Sequence, residues 1–329
     1  MSGKALFPTD QSISAWQLSE FWTYFNSLLK PNASMQTQNN SNVFLLSLLE
    51  SRAEAKSLEW LKNQAEKVSQ DGAATKFFLA FSQASRFFKK EALALTDSER
   101  KAAAELGPGF DPSHWDCLQT ARTFILLHFP QEKDSWFKAI NQLFETGDYH
   151  EQQALYAALP LMPFQDDLLS RAIDGCRTNM TVIFDAIALN NPYPKERFPE
   201  ANWNQMVLKS IFMQRPIYRI QGLDDRRNQA LAEIASDFAH ERWAAGRPVM
   251  PELWRLVVPF VNENLLEDLK KVVFSENQLE AEAGVMAIYQ CSYQPAKNLL
   301  QSFPELVSAI EYGEITWEKI GKDFESQKA

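Results

Sequence analysis

Residues 134–147 read DSWFKAINQLFETG, and residues 149–163 read YHEQQALYAALPLMP. Two more stretches of the same kind follow at 164–177 and 179–194. Each is a helical segment of roughly 10–15 residues, bounded by a short break at Gly, Asn or Pro. This alternation predicts a succession of antiparallel helix hairpins. The predicted fold class is therefore all-α, either a HEAT-like α-solenoid or a compact helical array.

The composition agrees with this fold class. The chain has 329 residues, of which 45% are hydrophobic and only 11 are glycine. That is enough apolar material for a large core, and too little glycine for a typical β-rich or Rossmann protein. With no clear linker, we expect one all-helical domain over residues 1–329. The polar tract PNASMQTQNNSN, at 31–42, is predicted to be a flexible loop.

Charge and cysteine usage narrow the class of protein. The net charge of −9 argues against a nucleic-acid partner, because such proteins usually carry a basic stripe. Three widely spaced cysteines are typical of reduced thiols in the cytoplasm. The first residues lack a signal-peptide pattern, and no apolar run reaches the length of a membrane span. The expected location is the cytoplasm, with no membrane span.

Capping signals place several helix starts. Ser14 and Gln17 form a capping box ahead of AWQLSEFWTYFNSLL, and Thr96 and Glu99 form a second one. Asp111 is predicted to be the N-cap of the helix that contains FILLHF.

A long helix is predicted over residues 223–245, between Gly222 and Gly246. Its core face is expected to carry Leu231, Ile234, Phe238 and Ala245. Three carboxylates, Glu233, Asp237 and Glu241, stack at i, i+4 and i+8 on an adjoining face that His240 flanks. Because like charges at this spacing are unfavourable, the stack predicts a nearby cation or a basic partner.

Arginine is concentrated in the same part of the chain. Residues 171–255 hold ten of the fourteen arginines but two of the nineteen lysines. Arginine is preferred where planar, bidentate pairing is needed. The favoured interpretation is an internal arginine–carboxylate network that locks helices together. The alternative is a polar pocket for an anionic or aromatic ligand.

No catalytic or cofactor motif is present. The sequence lacks HExxH, GxSxG, GxGxxG and a P-loop. Asp237, His240 and Glu241 lack the further histidine or cysteine ligands that a zinc site needs. We therefore predict no metal and no cofactor.

A second unusual stretch, NNPYPKERFPEANWNQMVLK, covers residues 190–209. Pro192 and Pro194 are expected to hold an extended turn between helices. The alternative is a loop whose amides and Tyr193 line a binding groove.

These residues carry a resemblance to a known family. NNPYPKERFPEANWNQMVLKSIF, followed by IQGLDDRRNQALAEIASDFAHERWAAGRPVMPELWRLVVPF, resembles the EboA family, most densely over residues 185–260. Proteins of this family are encoded beside other Ebo proteins in bacterial clusters linked to the movement of secondary-metabolite precursors towards the periplasm. The resemblance implies a cytoplasmic, largely helical component of a metabolite-traffic system. It supplies no catalytic residues.

Our leading hypothesis is a non-enzymatic adaptor or carrier in the export of secondary-metabolite precursors. Its partners would be proteins of the same cluster, membrane components among them, or an aromatic or anionic metabolite. Trp203, Trp243 and Trp254 are either core residues or stacking surfaces. The candidate binding residues are Asn191, Tyr193, Asn204, Gln205, Lys209, Arg226, Arg227, Asn228, Asp237, His240, Glu241, Arg242 and Arg247.

Two alternatives remain open. One is a metabolite-modifying enzyme that uses Asp237, His240 or Glu241 as acid, base or metal ligand. The other is a scaffold without a ligand, in which arginine–acid pairs only brace the helices.

Overall fold

The computed structural model describes residues 33–328, and within them the regular secondary structure is entirely helical. An isolated bridge between Ala92 and Asp116 is the one β-type pairing in this part of the chain. The all-α prediction is thus confirmed. The α-helices are α1 Ala33–Glu50, α2 Ala55–Asp71, α3 Ala74–Gln83, α4 Asp97–Ala104, α5 Cys117–Leu127, α6 Lys133–Thr146, α7 Tyr149–Ala157, α8 Leu169–Gly175, α9 Thr181–Ala188, α10 Tyr193–Arg197, α11 Glu200–Phe212, α12 Gln229–Ala244, α13 Trp254–Val257, α14 Glu263–Val273, α15 Gln278–Gln290, α16 Gln294–Lys297, α17 Pro304–Glu311 and α18 Trp317–Ser326.

Short 3₁₀ turns join several of these helices. They are Ala84–Arg86, Leu159–Leu161, Gln165–Leu168, Ile217–Arg219, Pro251–Leu253, Val258–Phe260 and Asn298–Ser302.

Helix α5 is the centre of the first half of the fold. All eleven of its residues are buried, and α1, α2, α3 and α7 pack around it. Its one charged residue, Arg122, is 2% exposed and pairs with Glu151 at 3.4 Å. Arg122 also donates from Nε to the Phe81 carbonyl. A charge can lie this deep only because its hydrogen-bonding groups have partners.

Helix α15 is the centre of the second half of the fold. It is buried from Glu282 to Ile288, and α13, α14, α17 and α18 pack on it. One contiguous apolar core extends from Phe44 to Ile320. Several of the packed pairs, such as α1 with α5, are far apart in sequence. A regular HEAT-like solenoid therefore stays a prediction.

The polar loop predicted at 31–42 is wrong over residues 33–42, which belong to α1. No Pro or Gly interrupts this stretch, and Asn, Ser and Gln reduce helix stability only slightly. A helix can therefore extend backwards from the apolar segment that follows. The helix predicted from the Ser14–Gln17 box lies outside the described residues.

Other helix ends test the capping predictions. The Thr96–Glu99 capping box is confirmed, with both of its hydrogen bonds present. The N-cap predicted at Asp111 is wrong, because α5 starts at Cys117 and Asp116 caps it by accepting from Gln119 N. Asp111 instead accepts from Ser113 N in a local turn.

The long helix predicted over 223–245 begins six residues later, at Gln229. Asn228 caps it by accepting a hydrogen bond from Leu231 N. Its buried face carries Leu231 with three alanines, whereas Ile234 is 47% exposed. The buried face of α12 therefore differs from the predicted one, because small alanines allow the helix to pack closely on that side. Gly246 has a φ of +66°, as its predicted place past the helix end requires.

Candidate functional site

The NNPYP stretch folds into a brace between helices. Asn191 is 4% exposed and donates to the carbonyls of Tyr156 and Ala186, at 3.1 and 2.9 Å. Its own side-chain oxygen accepts from Tyr193 N at 3.0 Å. The Tyr193 hydroxyl donates to the Gln165 carbonyl at 2.5 Å. The predicted extended turn is wrong, because residues 193–197 form α10 with Pro194 in its first turn, where a missing N–H costs nothing.

Asn204, Arg226 and Asn228 also hold backbone in place. Asn204 and Asn228 exchange amide hydrogen bonds of 3.0 and 2.8 Å, which join α11 to the start of α12. Arg226 donates to the carbonyls of Pro194, Lys195 and Phe198. Its guanidinium lies 4.6 Å from the centre of the buried Trp203 ring. The polar groups of these side chains are thus satisfied inside the fold.

Six of the ten arginines form ion pairs with carboxylates, and four of these pairs join separate segments, as the favoured interpretation predicts. Arg215 and Arg255 each make bidentate pairs, with Asp185 and Asp224. Arg227 also contacts Asp224 and donates to the Arg255 carbonyl. The remaining three pairs are Arg171–Glu145, Arg177–Asp174 and Arg197–Asp166.

The acidic face of α12 is open to solvent. Glu233, Asp237 and Glu241 are exposed, and none forms an ion pair with a described residue. His240 Nε2 lies 2.6 Å from Asp268 Oδ1 on α14. These groups lie on a surface and line none of the described cavities.

The two arginines that follow this face differ in their contacts. Arg242 donates to the Pro248 carbonyl at 3.0 Å, whereas the Arg247 side chain is exposed and contacts no other described group.

The predicted tryptophans are mostly core residues. Trp203 and Trp254 are 0% and 1% exposed. Trp243 is half-buried, stacks on Trp254 at 5.6 Å and is covered by Lys271.

Gln205 and Lys209 do line a cavity, of about 180 Å³, together with Arg177 and Cys176. Lys209 donates to the Thr178 carbonyl at 2.7 Å, and burial lowers its pKa. Burial raises the pKa of the Cys176 thiol to about 12, so this cysteine is a poor nucleophile at neutral pH.

A larger cleft of about 310 Å³ combines the features of a small-molecule site. Its walls come from the segment before α5, from α5, α7 and α9, and from the turn at 217–219. Phe110 and Trp115 form an edge-to-face pair on one side, at 5.7 Å. The polar lining groups are His114, Gln119, Gln153, Thr181, Asp185, Asn190, Asn191 and Arg219.

Two left-handed backbone conformations lie in the cleft lining or next to it. Asn190 has a φ of +54°, and its N–H donates to the Arg219 carbonyl at 2.8 Å. Gly109 has a φ of +75°, and a Cβ there would lie 3.1 Å from the Gln221 side chain. Asparagine and glycine are the residues that adopt this region most easily. Both therefore bring their segments close to the 217–221 turn.

Gln119 is the most unusual residue in the cleft. It lies in the first turn of α5 and is 5% exposed. Its backbone is bonded, but its side-chain amide has no partner among the described residues. Its amide oxygen and nitrogen are not among the enclosed polar atoms that lack a partner, so they border the cleft, where a ligand or water can bond to them.

Arg219 and His114 determine the charge of the cleft. Arg219 donates from Nε to Asn190 Oδ1 at 2.7 Å, while its two terminal nitrogens have no partner in the described structure. Burial lowers the pKa of His114, and the positive charge of Arg219 lowers it further. His114 is therefore neutral at pH 7, when Arg219 still carries its charge.

Sequence reasoning named Asn191 from this cleft but missed Gln119, His114 and Arg219. The one available signal was Gln119 itself, a polar residue three places into the apolar helix CLQTARTFILL. No local pattern shows that His114 and Arg219 line the same cleft, because 105 residues separate them in the chain.

Neither a metal site nor a membrane helix is found in the described part. Residues 33–328 contain no cluster of three or more His, Cys, Asp or Glu side chains able to hold a metal ion. None of the described helices is long and apolar enough to cross a bilayer.

Comparison with known proteins identifies a family. No curated protein and no solved structure matches the chain significantly. The family model described as metabolite traffic protein EboA matches residues 41–258. This range contains the cleft, α12 and the NNPYP brace, and it covers more than half of the 329 residues. The chain therefore belongs to the EboA family of metabolite traffic proteins.

Proposed function

We propose that this protein is a non-enzymatic carrier that holds a small organic metabolite in the 310 Å³ cleft. The metabolite would be a secondary-metabolite precursor moving towards export. The protein would act in the cytoplasm and pass its cargo to other proteins of the same cluster. The family description supports the traffic role. The open Gln119 amide supports the cleft as the place where the cargo binds.

The Gln119 amide carries most of the argument. The Gln119 side chain bonds to no described residue and borders the cleft, so its amide oxygen and NH₂ group are both available to a ligand there. A ligand oxygen or nitrogen in the cleft would bond to them. Trp115 and Phe110 would contact the apolar part of the same ligand. A cavity of about 310 Å³ is at the lower end of the range for small-molecule pockets, roughly 300–1,000 Å³.

The acid–base alternative has weaker geometric support. Asp237, His240 and Glu241 lie on an exposed helix face, where a substrate would be surrounded by water. His240 already contacts Asp268. A general base works best in a site that excludes water and orients the substrate.

Native mass spectrometry of the protein isolated from producing cells tests the proposal. We expect the wild-type protein to retain an organic molecule and Gln119→Met to lose it. The exposed Gln70 supplies a control variant, Gln70→Met, which should retain the molecule. A wild-type chain that carries no organic molecule would contradict the carrier proposal and favour the scaffold. Equal retention by Gln119→Met would exclude the cleft as the binding site.

A further inference from the structure

The carboxylates around the cleft are bonded to residues other than Arg219. Asp185 is bonded through both oxygens to Arg215, at 2.8 and 2.5 Å. Glu325 accepts a hydrogen bond from the Tyr218 hydroxyl at 2.8 Å. Asp111 accepts from Ser113 N and from the Asn190 amide. None of these three carboxylates lies within ion-pair distance of Arg219.

Arg219 therefore forms no ion pair with a described residue, although Asp185 and Glu325 act on its charge at longer range. Its Nε is held by Asn190, which leaves the two terminal nitrogens for another acceptor. The side chain is half-buried, and burial lowers its pKa, although a guanidinium stays charged at any physiological pH. A half-buried arginine with free terminal nitrogens is a typical binding group for a planar, bidentate anion.

The other polar groups of the cleft fit a molecule that carries one charge. Among the described residues, the Gln119 amide has no partner, and Gln153 accepts from His150 Nδ1 but finds no acceptor for its own NH₂ group. Neutral His114 adds a group that can donate or accept, depending on its tautomer. None of the three adds a second positive charge. The aromatic pair Phe110 and Trp115 offers an apolar wall beside them.

We infer that the cleft binds a small organic carboxylate, with the carboxylate on the two terminal nitrogens of Arg219 and the apolar part against Trp115. This inference rests on the proposed carrier function and names the class of its cargo. The guanidinium plane matches a carboxylate through two parallel hydrogen bonds. Asn190 holds the guanidinium from its third nitrogen, so binding does not require the side chain to reorganise.

Matched pairs of ligands test the inference on the full chain. The probes are benzoate, phenylacetate and hexanoate, each with its uncharged carboxamide, titrated by isothermal calorimetry or NMR. We expect at least one carboxylate to bind about tenfold to a hundredfold more tightly than its amide, the usual value of hydrogen bonds to a charged group. Equal binding of acid and amide, or no binding of any acid, would overturn the inference.

Two arginine variants extend the test to the residue. Arg219→Gln should remove the preference for acid over amide, whereas the exposed Arg177→Gln should keep it. Circular dichroism of each variant checks that it folds. If Arg219→Gln does not fold, the acid–amide comparison in the wild-type protein still tests the inference. If a folded Arg219→Gln variant still binds the acid more tightly than the amide, the assignment of the carboxylate to Arg219 is overturned.

The failures of the two proposals are distinguishable. If the isolated protein carries an uncharged metabolite that Gln119→Met loses, the carrier function stands and the carboxylate inference fails. If no metabolite is retained and no probe binds, both fail.

Discussion

Glu252 should make the protein less stable as the pH rises. It is 0% exposed and lies in the 3₁₀ turn Pro251–Leu253, beneath α18. One carboxyl oxygen accepts from Tyr218 N at 2.6 Å, and the other has no partner. A Cβ added to Gly321 of α18 would lie 2.9 Å from this carboxyl group, so the backbone of α18 packs directly against it. Burial raises the pKa of Glu252 from 4.5 to about 8, against the opposing hydrogen bond from Tyr218.

The sign and size of the effect follow from linkage. Between pH 4.5 and 8 the folded protein keeps a proton on Glu252 that the unfolded chain releases. The stabilising contribution is therefore full below pH 4.5 and is lost as the pH rises through 8. At about 1.4 kcal/mol for each pH unit, the whole loss is roughly 5 kcal/mol. About 3 kcal/mol of this should fall between pH 5 and pH 8.

Glu252→Gln isolates this contribution, because an amide keeps the shape of the side chain but does not ionise. Urea unfolding at pH 5, 6, 7 and 8 should show the variant gaining about 3 kcal/mol relative to the wild type across the series. Other groups titrate equally in both proteins and cancel in the difference. The exposed Glu311 supplies a control, Glu311→Gln, whose difference from the wild type should not change with pH. If the Glu252→Gln difference is also constant, the reasoning about this buried carboxyl is refuted.

Three further substitutions test the described contacts by urea unfolding. Asn191→Ala removes two donated hydrogen bonds and one accepted one in a buried position, and should cost about 3 kcal/mol; a loss below about 0.5 kcal/mol would contradict its role as a brace. Gly321→Ala places a methyl group against Tyr218 and Glu252 and should cost about 1–3 kcal/mol, whereas no loss would show that α18 moves freely. Glu241→Lys relieves like-charge stacking on the open face of α12 and should change stability by at most about 0.5 kcal/mol; a large loss would show that Glu241 has a partner.

The helices themselves are largely predictable from the sequence. Thr96 shows why local capping patterns locate a helix end, and Asn228 shows where such patterns fail. The Thr96 capping box was named from four residues, because its two hydrogen bonds join positions three apart. Asn228 caps α12 through the backbone N–H three residues on, yet the sequence pattern predicts a continuous helix through this position. The amide exchange with Asn204, 24 residues earlier, helps to hold Asn228 outside the helix, and no local pattern reports it.

The candidate site was much less predictable. The sequence predicts Asn191 as a binding residue, but the other predicted binding residues do not line this cleft. The arginine cluster favours an internal network with carboxylates, with a pocket as the alternative, and most of its side chains do pair with nearby carboxylates or carbonyls. Arg219 combines a place in the cleft with two unbonded terminal nitrogens, because the acids around it are bonded to other residues. That is a property of the packed structure, and composition cannot distinguish one arginine of ten.

The sequence by itself determined the all-α class, the positions of most helices and membership of a family, because these depend on hydrogen bonds and patterns within a few neighbouring residues. The tertiary structure alone decided which polar groups come together in the cleft. Gln119, His114 and Arg219 meet only because α5, the segment before it and the 217–219 turn pack against one another. Whether a side chain is bonded depends on the groups brought to it from distant parts of the chain, so the cleft could be recognised only in the folded protein.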